Sequence, residues 1–159
     1  MSGSINIGIG ILTAVIMLVG CGRGSLFENL SPGDELIVIT RNSPTTYYFD
    51  GDQPTGFEYD LIKAFADDRD LSVRVKLAFT LEELLSMLEN GEGHIAAAGL
   101  TLTEERSRRF YASNPYITQK PLIVYKSGLL RPRSAAALAG RDIVVLAGSS
   151  HIEQLSALK

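Results

Sequence analysis

The stretch SVRVKLAFTLEELLSMLENGEGHIAAAG, residues 72–99, decides the fold, because it encodes a strand, a capped helix and a second strand in one run. Its first residues alternate apolar with charged side chains, which is typical of a half-exposed strand. Thr80 and Glu83 then predict a capping box. The helix that they open is predicted to bury a leucine stripe, namely Leu81, Leu84, Leu85 and Leu88. The strand–helix–strand order predicts two parallel strands joined by a right-handed crossover.

The same alternation extends toward the N-terminus. Residues 36–39 are continuously apolar and predict a strand buried on both faces. A loop over residues 41–56 separates this strand from a predicted helix over residues 57–66. The apolar side of that helix is predicted from Phe57, Leu61, Ile62 and Phe65, and its exposed side from Glu58, Asp60 and Lys63. The βαβαβ order predicts an α/β domain with a parallel sheet and helices on its faces.

Beyond this unit the pattern begins again. Residues 121–125 and 143–146 are apolar and predict two further strands, and residues 134–138 predict a short helix. A last helix is predicted after Gly148. We therefore expect a nearly complete first lobe over residues 34–126 and an incomplete second lobe over residues 127–159.

The N-terminus carries an export pattern. Residues 5–20 are apolar and end at Leu-Val-Gly before Cys21, and a polar, glycine-containing segment follows. This pattern predicts a signal peptide over residues 1–20, lipidation at Cys21 and a tether over residues 21–33. An uncleaved membrane anchor, or a buried helix with a chance cysteine, is the alternative. Both a cleaved lipoprotein signal and an uncleaved anchor place the remaining chain outside the cytoplasmic membrane.

Composition limits the possible functions. The formal net charge is −3, and the Lys and Arg residues form no basic stripe, so we expect no nucleic-acid partner. With one Cys and two His residues, neither an intrachain disulfide nor a Cys/His zinc site is expected. His94 and His151 fit capping or surface roles, and no catalytic triad or phosphate loop is present. We therefore expect neither a catalytic site, nor a cofactor, nor a metal.

Ligands of open parallel sheets bind beyond the carboxyl ends of the strands. After the third predicted strand, Gly99 permits close backbone approach, Thr101 offers a hydroxyl, and Arg106 can present its planar fork to a carboxylate. These residues form a candidate receptor for the carboxylate of an amino acid or short peptide. Alternatively, Thr103 caps a surface helix on which Arg106 is solvated or paired with Glu105 or Asp60.

Two more segments reach the same edge. Ser149 and Ser150 follow Gly148 at a predicted helix start, where hydroxyls and free N–H groups favour an anion, although an N-cap with a tight turn, taken alone, explains them better. Tyr47 and Tyr48, followed by Phe49, could form the wall of a pocket or cover the sheet edge.

The segments at residues 56–61 (Gly-Phe-Glu-Tyr-Asp-Leu) and 99–116 resemble the two signatures of the family 3 extracellular solute-binding proteins, which bind polar amino acids. Tyr59 departs from the aliphatic residue or Thr usual at its position. The resemblance implies that Arg106 and Thr101 hold the ligand carboxylate and that the Gly99 backbone holds its amino group. It also implies that Ser149 and Ser150 close from the second lobe.

Residues 41–48 and 130–133 further resemble the F family of membrane-bound lytic murein transglycosylases, which join a solute-binding-like domain to a lysozyme-like catalytic domain. This resemblance implies a ligand-sensing region, for an amino acid or muropeptide, of a peptidoglycan-cleaving lipoprotein, with the catalytic domain missing from this chain. Gly22, which follows Cys21, favours the outer membrane by analogy with such lipoproteins. The alternative is an amino-acid-binding lipoprotein of an ABC importer. A third hypothesis is a fragment without a binding function.

Overall fold

The computed structural model describes residues 30–158. The predicted signal peptide, Cys21 and most of the predicted tether lie outside the described residues. The elements, in chain order, are β1 (Glu35–Thr40), β2 (Tyr48–Asp50), β3 (Gln53–Thr55), α1 (Phe57–Asp68), β4 (Ser72–Leu77), α2 (Leu81–Glu89), β5 (Ile95–Ala96), α3 (Glu104–Ser107), a 3-10 helix (Ala135–Leu138) and α4 (Ser150–Ser156).

The central sheet has the order β4-β1-β5, and both strand pairs are parallel. This arrangement confirms the predicted βαβαβ topology. His94 extends the short strand β5 backward, because its N–H donates to the Ile37 carbonyl at 2.8 Å and its Nδ1 accepts from the Ile37 N–H at 2.8 Å. The histidine therefore has a structural role at the sheet.

The two helices α1 and α2 cover opposite faces of β1. On one face Leu36 and Val38 pack with Ala66 of α1, and on the other Ile39 packs with Leu84 of α2. Leu36, Ile39 and Leu84 are fully buried, and burial of such a side chain stabilises the fold by about 1.5–3 kcal/mol. Because β1 is buried on both faces, its continuous apolar run was a reliable strand signal.

The capping box of α2 is present as predicted. The Thr80 hydroxyl accepts from the Glu83 N–H at 3.0 Å, and the Glu83 carboxylate accepts from the Thr80 N–H at 3.4 Å. Leu81 and Leu84 are buried, and Leu85 and Leu88 pack against the same core. The leucine stripe is therefore confirmed.

The predicted faces of α1 were partly wrong. Ile62 and Phe65 pack on the core, but Phe57 and Leu61 are exposed by 58% and 45%. Glu58, which we expected on the exposed side, is buried with 5% of its surface accessible. The inner face of the helix therefore includes Glu58, whose carboxylate accepts hydrogen bonds from Gly99 and Tyr116.

The loop over residues 41–56 contains a hairpin that the sequence analysis did not predict. Strands β2 and β3 pair antiparallel, with Asp50 opposite Gln53, and Gly51 adopts φ +62° in the turn. Gly56 then leads into α1 with φ +135°, and a Cβ there would lie 2.4 Å from the Thr46 carbonyl oxygen. Only glycine fits this conformation and this contact.

The two strands predicted at residues 121–125 and 143–146 were wrong. Neither segment is a strand, and side chains in both are almost fully exposed, for example Val124 (95%) and Val144 (96%). An apolar run becomes a strand only when a neighbouring strand completes its hydrogen bonds, and within residues 30–158 neither run has one. The helix predicted at residues 134–138 is a single 3-10 turn, and α4 forms after Ser149 as expected.

Candidate functional site

The side chain of Arg106 lies inside the fold at the carboxyl edge of the sheet. It projects from α3, which Thr103 caps by accepting from the Arg106 N–H at 3.3 Å. Its exposed fraction is 7%. The guanidinium donates from Nη1 to the Thr101 carbonyl at 2.8 Å and from Nη2 to the Gly148 carbonyl at 2.9 Å. Arg106 thus joins the loop after β5 to the loop before α4.

Among residues 30–158 this guanidinium has no ion-pair partner. Glu105, one partner considered from the sequence, instead faces Arg109 at 3.5 Å. The other candidate, Asp60, makes no ion pair with Arg106 either. The expectation of a solvated or surface-paired Arg106 is therefore wrong, and the chain buries a cation against two neutral carbonyls.

The loop at Gly148 completes the surroundings of Arg106. Gly148 adopts φ +67° and packs against α2, since a Cβ at this position would lie 2.6 Å from Oε1 of Glu82. The hydroxyl of Ser149 is buried and has no hydrogen-bond partner within residues 30–158, and Ser150 is buried with 6% of its surface exposed. Polar groups of both predicted serines therefore lie next to the carbonyl that Arg106 binds.

Gly99 and Thr101 are both exposed at this edge. Gly99 adopts φ +62°, and its N–H donates to both carboxylate oxygens of Glu58 at 2.8 Å. The carbonyl of Thr101 is bound to Arg106. One backbone group of each residue is thus engaged within the protein.

Tyr47 and Tyr48 differ in their positions. Tyr47 is buried and makes edge-to-face contacts with Phe49 and Tyr59, at ring-centroid distances of 5.5 and 5.3 Å. Burial, followed by the nearby Tyr59 hydroxyl, raises the pKa of Tyr47. Tyr48 is exposed in β2. Among the described residues, no hydrogen bond or ring contact links either tyrosine to Arg106, and Tyr47 covers the sheet edge.

Glu58 is a residue of this edge that the sequence did not indicate as part of a site. Both of its carboxylate oxygens accept a hydrogen bond from the Gly99 N–H, and Oε1 also accepts one from the Tyr116 hydroxyl. Partial burial, followed by the contact with Glu58, raises the pKa of Tyr116 above its usual range. The ring of Tyr116 packs on Phe57 at 5.6 Å. These partners are distant in the sequence, and no local pattern around Glu58 indicates them.

Metal sites and membrane-spanning helices are two further features by which a chain can act. Across residues 30–158, no group of three or more His, Cys, Asp or Glu side chains could hold a metal ion. In that same part of the chain, no helix is both long and apolar enough to cross a membrane. The Arg106 surroundings are therefore the best candidate site that these residues offer.

Comparison with known proteins gives three results. Residues 36–139 match the model of the bacterial extracellular solute-binding proteins, family 3. The chain is 46% identical over 149 residues to membrane-bound lytic murein transglycosylase F of Ectopseudomonas mendocina (strain ymp), covering 91% of this chain and 30% of that protein. It is 40% identical over 152 residues to the protein of the same name from Pseudomonas fluorescens (strain Pf-5), covering 94% of this chain and 31% of that protein. The chain therefore spans about a third of the length of these relatives.

Among solved structures, an ancestral arginine-binding protein bound to arginine matches with a TM-score of 0.68 and 28% sequence identity. The match covers 78% of this chain and 55% of that one. The shared fold agrees with the parallel sheet described above.

Proposed function

The chain belongs to the bacterial extracellular solute-binding proteins, family 3, and from this membership we propose that it binds a small ligand through a carboxylate at Arg106. The observation that carries the proposal is the buried guanidinium without an ion-pair partner among residues 30–158. Moving a cation out of water costs several kcal/mol, and neutral carbonyls offset only part of that cost. A carboxylate supplies the missing charge and matches the planar fork in bidentate geometry.

The Gly148 carbonyl accepts from one arm of this fork at 2.9 Å. A ligand carboxylate competes for the same N–H, because its bond to the guanidinium joins two opposite charges, whereas the bond to Gly148 joins a charge to a neutral carbonyl. Ligand binding therefore moves the Gly148 loop. The Ser149 hydroxyl, which has no partner in the described part of the chain, supports this site, because a buried polar group without a partner costs about 1–3 kcal/mol that a ligand atom recovers.

The remaining site residues have supporting roles in the proposal. The exposed Thr101 hydroxyl and the Gly99 backbone bind the polar head of the ligand, and Ser150 closes from the opposite side. In this proposal the exposed Tyr48 contacts the side chain of the ligand, whereas the buried Tyr47 supports the hairpin through its ring contact with Phe49.

The names of the relatives suggest the biological setting. Two proteins named membrane-bound lytic murein transglycosylase F are 46% and 40% identical to this chain. We propose that this region senses an amino acid or a muropeptide and biases peptidoglycan cleavage by a catalytic domain during cell-wall turnover. The protein is exported in this proposal, and a lipid on Cys21 holds it to the periplasmic face of the outer membrane.

An alternative is an amino-acid-binding lipoprotein of an ABC importer. The specific observation in its favour is the fold match to an arginine-binding protein. The two functions predict different ligands, since an importer selects a free amino acid and a cell-wall sensor selects a peptidoglycan fragment.

Thermal unfolding of the chain with added ligands tests these proposals. The ligands are L-arginine, the peptidoglycan stem tripeptide and a muropeptide, and N-acetylglucosamine is the control without a carboxylate. A ligand at one hundred times its Kd adds about 2.7 kcal/mol to the stability. A larger shift with the muropeptide supports the sensor, and a shift with L-arginine alone supports the importer. The absence of any shift, or an equal shift with the control sugar, contradicts carboxylate binding.

A further inference from the structure

The carboxylate of Glu58 connects three segments that are far apart in the sequence. It projects inward from the first turn of α1 and is buried with 5% of its surface exposed. Both oxygens accept from the Gly99 N–H at 2.8 Å, and Oε1 also accepts from the Tyr116 hydroxyl. The three segments are the start of α1, the loop after β5 and the segment after α3 that contains Tyr116, which is called the exit segment below.

Within the part of the chain that the structure describes, the buried carboxylate of Glu58 accepts hydrogen bonds only from neutral donors. Among residues 30–158 Glu58 makes no ion pair. Replacing water around a carboxylate by so few donors is costly, so the arrangement persists only if the donors are well aligned. Alignment of the Gly99 N–H fixes the orientation of the peptide plane between Ala98 and Gly99.

The position of Gly99 determines the position of the Arg106 site. Gly99 has φ +62° and open space around the position of a Cβ, so no described atom packs against that side of the residue. Thr101 lies two residues further on, and its carbonyl is bound by the guanidinium. A shift of the Gly99 peptide therefore displaces one of the two groups that orient Arg106.

We propose that Glu58 is the positioning residue of the ligand site, because it fixes the Gly99–Thr101 loop and connects that loop to the exit segment through Tyr116. This inference rests on the proposed function, since only a ligand at Arg106 makes the loop position matter for binding. A movement of the exit segment when a ligand binds is transmitted to the same carboxylate. Tyr116 is a donor over the ordinary pH range, because a tyrosine hydroxyl ionises only at about pH 10 and partial burial, followed by the contact with Glu58, raises the pKa of Tyr116 further.

The test compares Glu58→Gln with Asp60→Asn, a control at an exposed residue in the same first turn of α1. Calorimetric titrations use L-arginine and, separately, the stem tripeptide. Glutamine has the shape of glutamate but lacks one acceptor oxygen and the charge. We expect Glu58→Gln to weaken binding about tenfold and to move the Gly99 amide proton resonance upfield. Asp60→Asn is expected to change neither.

A purely structural role gives a different result. In that case Glu58→Gln lowers the unfolding temperature while the Kd of the folded fraction and the Gly99 resonance stay as in the unchanged protein, and the inference is overturned. Tyr116→Phe provides a second test if Glu58→Gln does not fold. It removes only one donor from a half-exposed side chain, and we expect binding to weaken about threefold. Unchanged binding in Tyr116→Phe contradicts the link to the exit segment.

The outcomes also separate this inference from the proposed function. If the unchanged protein binds neither probe, both fail. If it binds and Arg106→Lys loses binding while Glu58→Gln binds normally, the proposed function stands and the positioning inference fails.

Discussion

Replacement of Arg106 by lysine tests the interactions on which the site depends. Lysine keeps the positive charge, but its single ammonium group cannot reach the Thr101 and Gly148 carbonyls together in the way that two guanidinium arms do. A hydrogen bond to a charged group contributes about 1.5–3 kcal/mol. Loss of one such bond at a site with 7% exposure is therefore expected to lower the free energy of unfolding by about 2 kcal/mol.

The matched control is Arg108→Lys. Arg108 lies at the end of the same helix and pairs with Glu104, with side-chain exposures of 73% and 83%. Exposed pairs contribute about 0–1 kcal/mol, and lysine retains the charge, so we expect a change below about 0.5 kcal/mol. The two variants share the chemical change and differ in burial and in their partners.

Urea unfolding followed by far-ultraviolet circular dichroism measures both variants. If the urea midpoints differ while the slope of the unfolding free energy against urea concentration stays the same, only the stability has changed. In thermal unfolding, a loss of 2 kcal/mol corresponds to a decrease of about 8 °C for a chain of this size. The reasoning is refuted if Arg106→Lys is no less stable than Arg108→Lys, because the two carbonyl bonds would then contribute nothing.

Three further predictions follow from individual residues. Gly56→Ala is expected to lower the free energy of unfolding, measured in urea, by more than about 3 kcal/mol, because Gly56 has φ +135° and a Cβ there would lie 2.4 Å from the Thr46 carbonyl oxygen. Gly51→Ala is the control and should lower it by only about 1–2 kcal/mol, since Gly51 has φ +62° and open space around it. Equal losses in the two variants would contradict this prediction. The raised pKa of Tyr116 means that the folded protein favours the neutral hydroxyl. The contribution of Tyr116 to the free energy of unfolding is therefore fully present below pH about 10 and is lost as the pH rises further. This loss should be smaller in Tyr116→Phe, and identical plots of unfolding free energy against pH for the two proteins, from pH 9 to 12, would disprove the prediction. Cys21→Ser should abolish incorporation of radioactive palmitate in cells, and undiminished labelling would exclude lipidation at Cys21.

The features that the sequence predicted correctly are local ones. The capping box at Thr80 and the leucine stripe of α2 follow from residues within three or four positions of one another. The strand β1 was predictable because its apolar run is buried on both faces. Arg106 was identified as a candidate from its planar side chain, from its position after the third predicted strand and from the resemblance of its segment to a family 3 signature.

The features that were missed depend on distant partners. The apolar runs at residues 121–125 and 143–146 resemble β1 in composition, yet strand formation depends on a neighbour that local sequence does not reveal. The buried position of Glu58 depends on Gly99, forty-one positions away. The hairpin is an exception, since the Asp50-Gly51 pair is a turn signal that the sequence did contain.

The central claim is that a ligand carboxylate takes the place of the Gly148 carbonyl at the Arg106 fork. The carbonyl carbon shift of Gly148, followed by nuclear magnetic resonance during a titration with L-arginine or the stem tripeptide, measures this exchange directly. The account predicts that the Gly148 signal moves upfield in proportion to site occupancy, while the Thr101 carbonyl keeps its hydrogen-bonded shift. Saturable binding that leaves the Gly148 signal unmoved would contradict the account, because the ligand would then bind without using the fork.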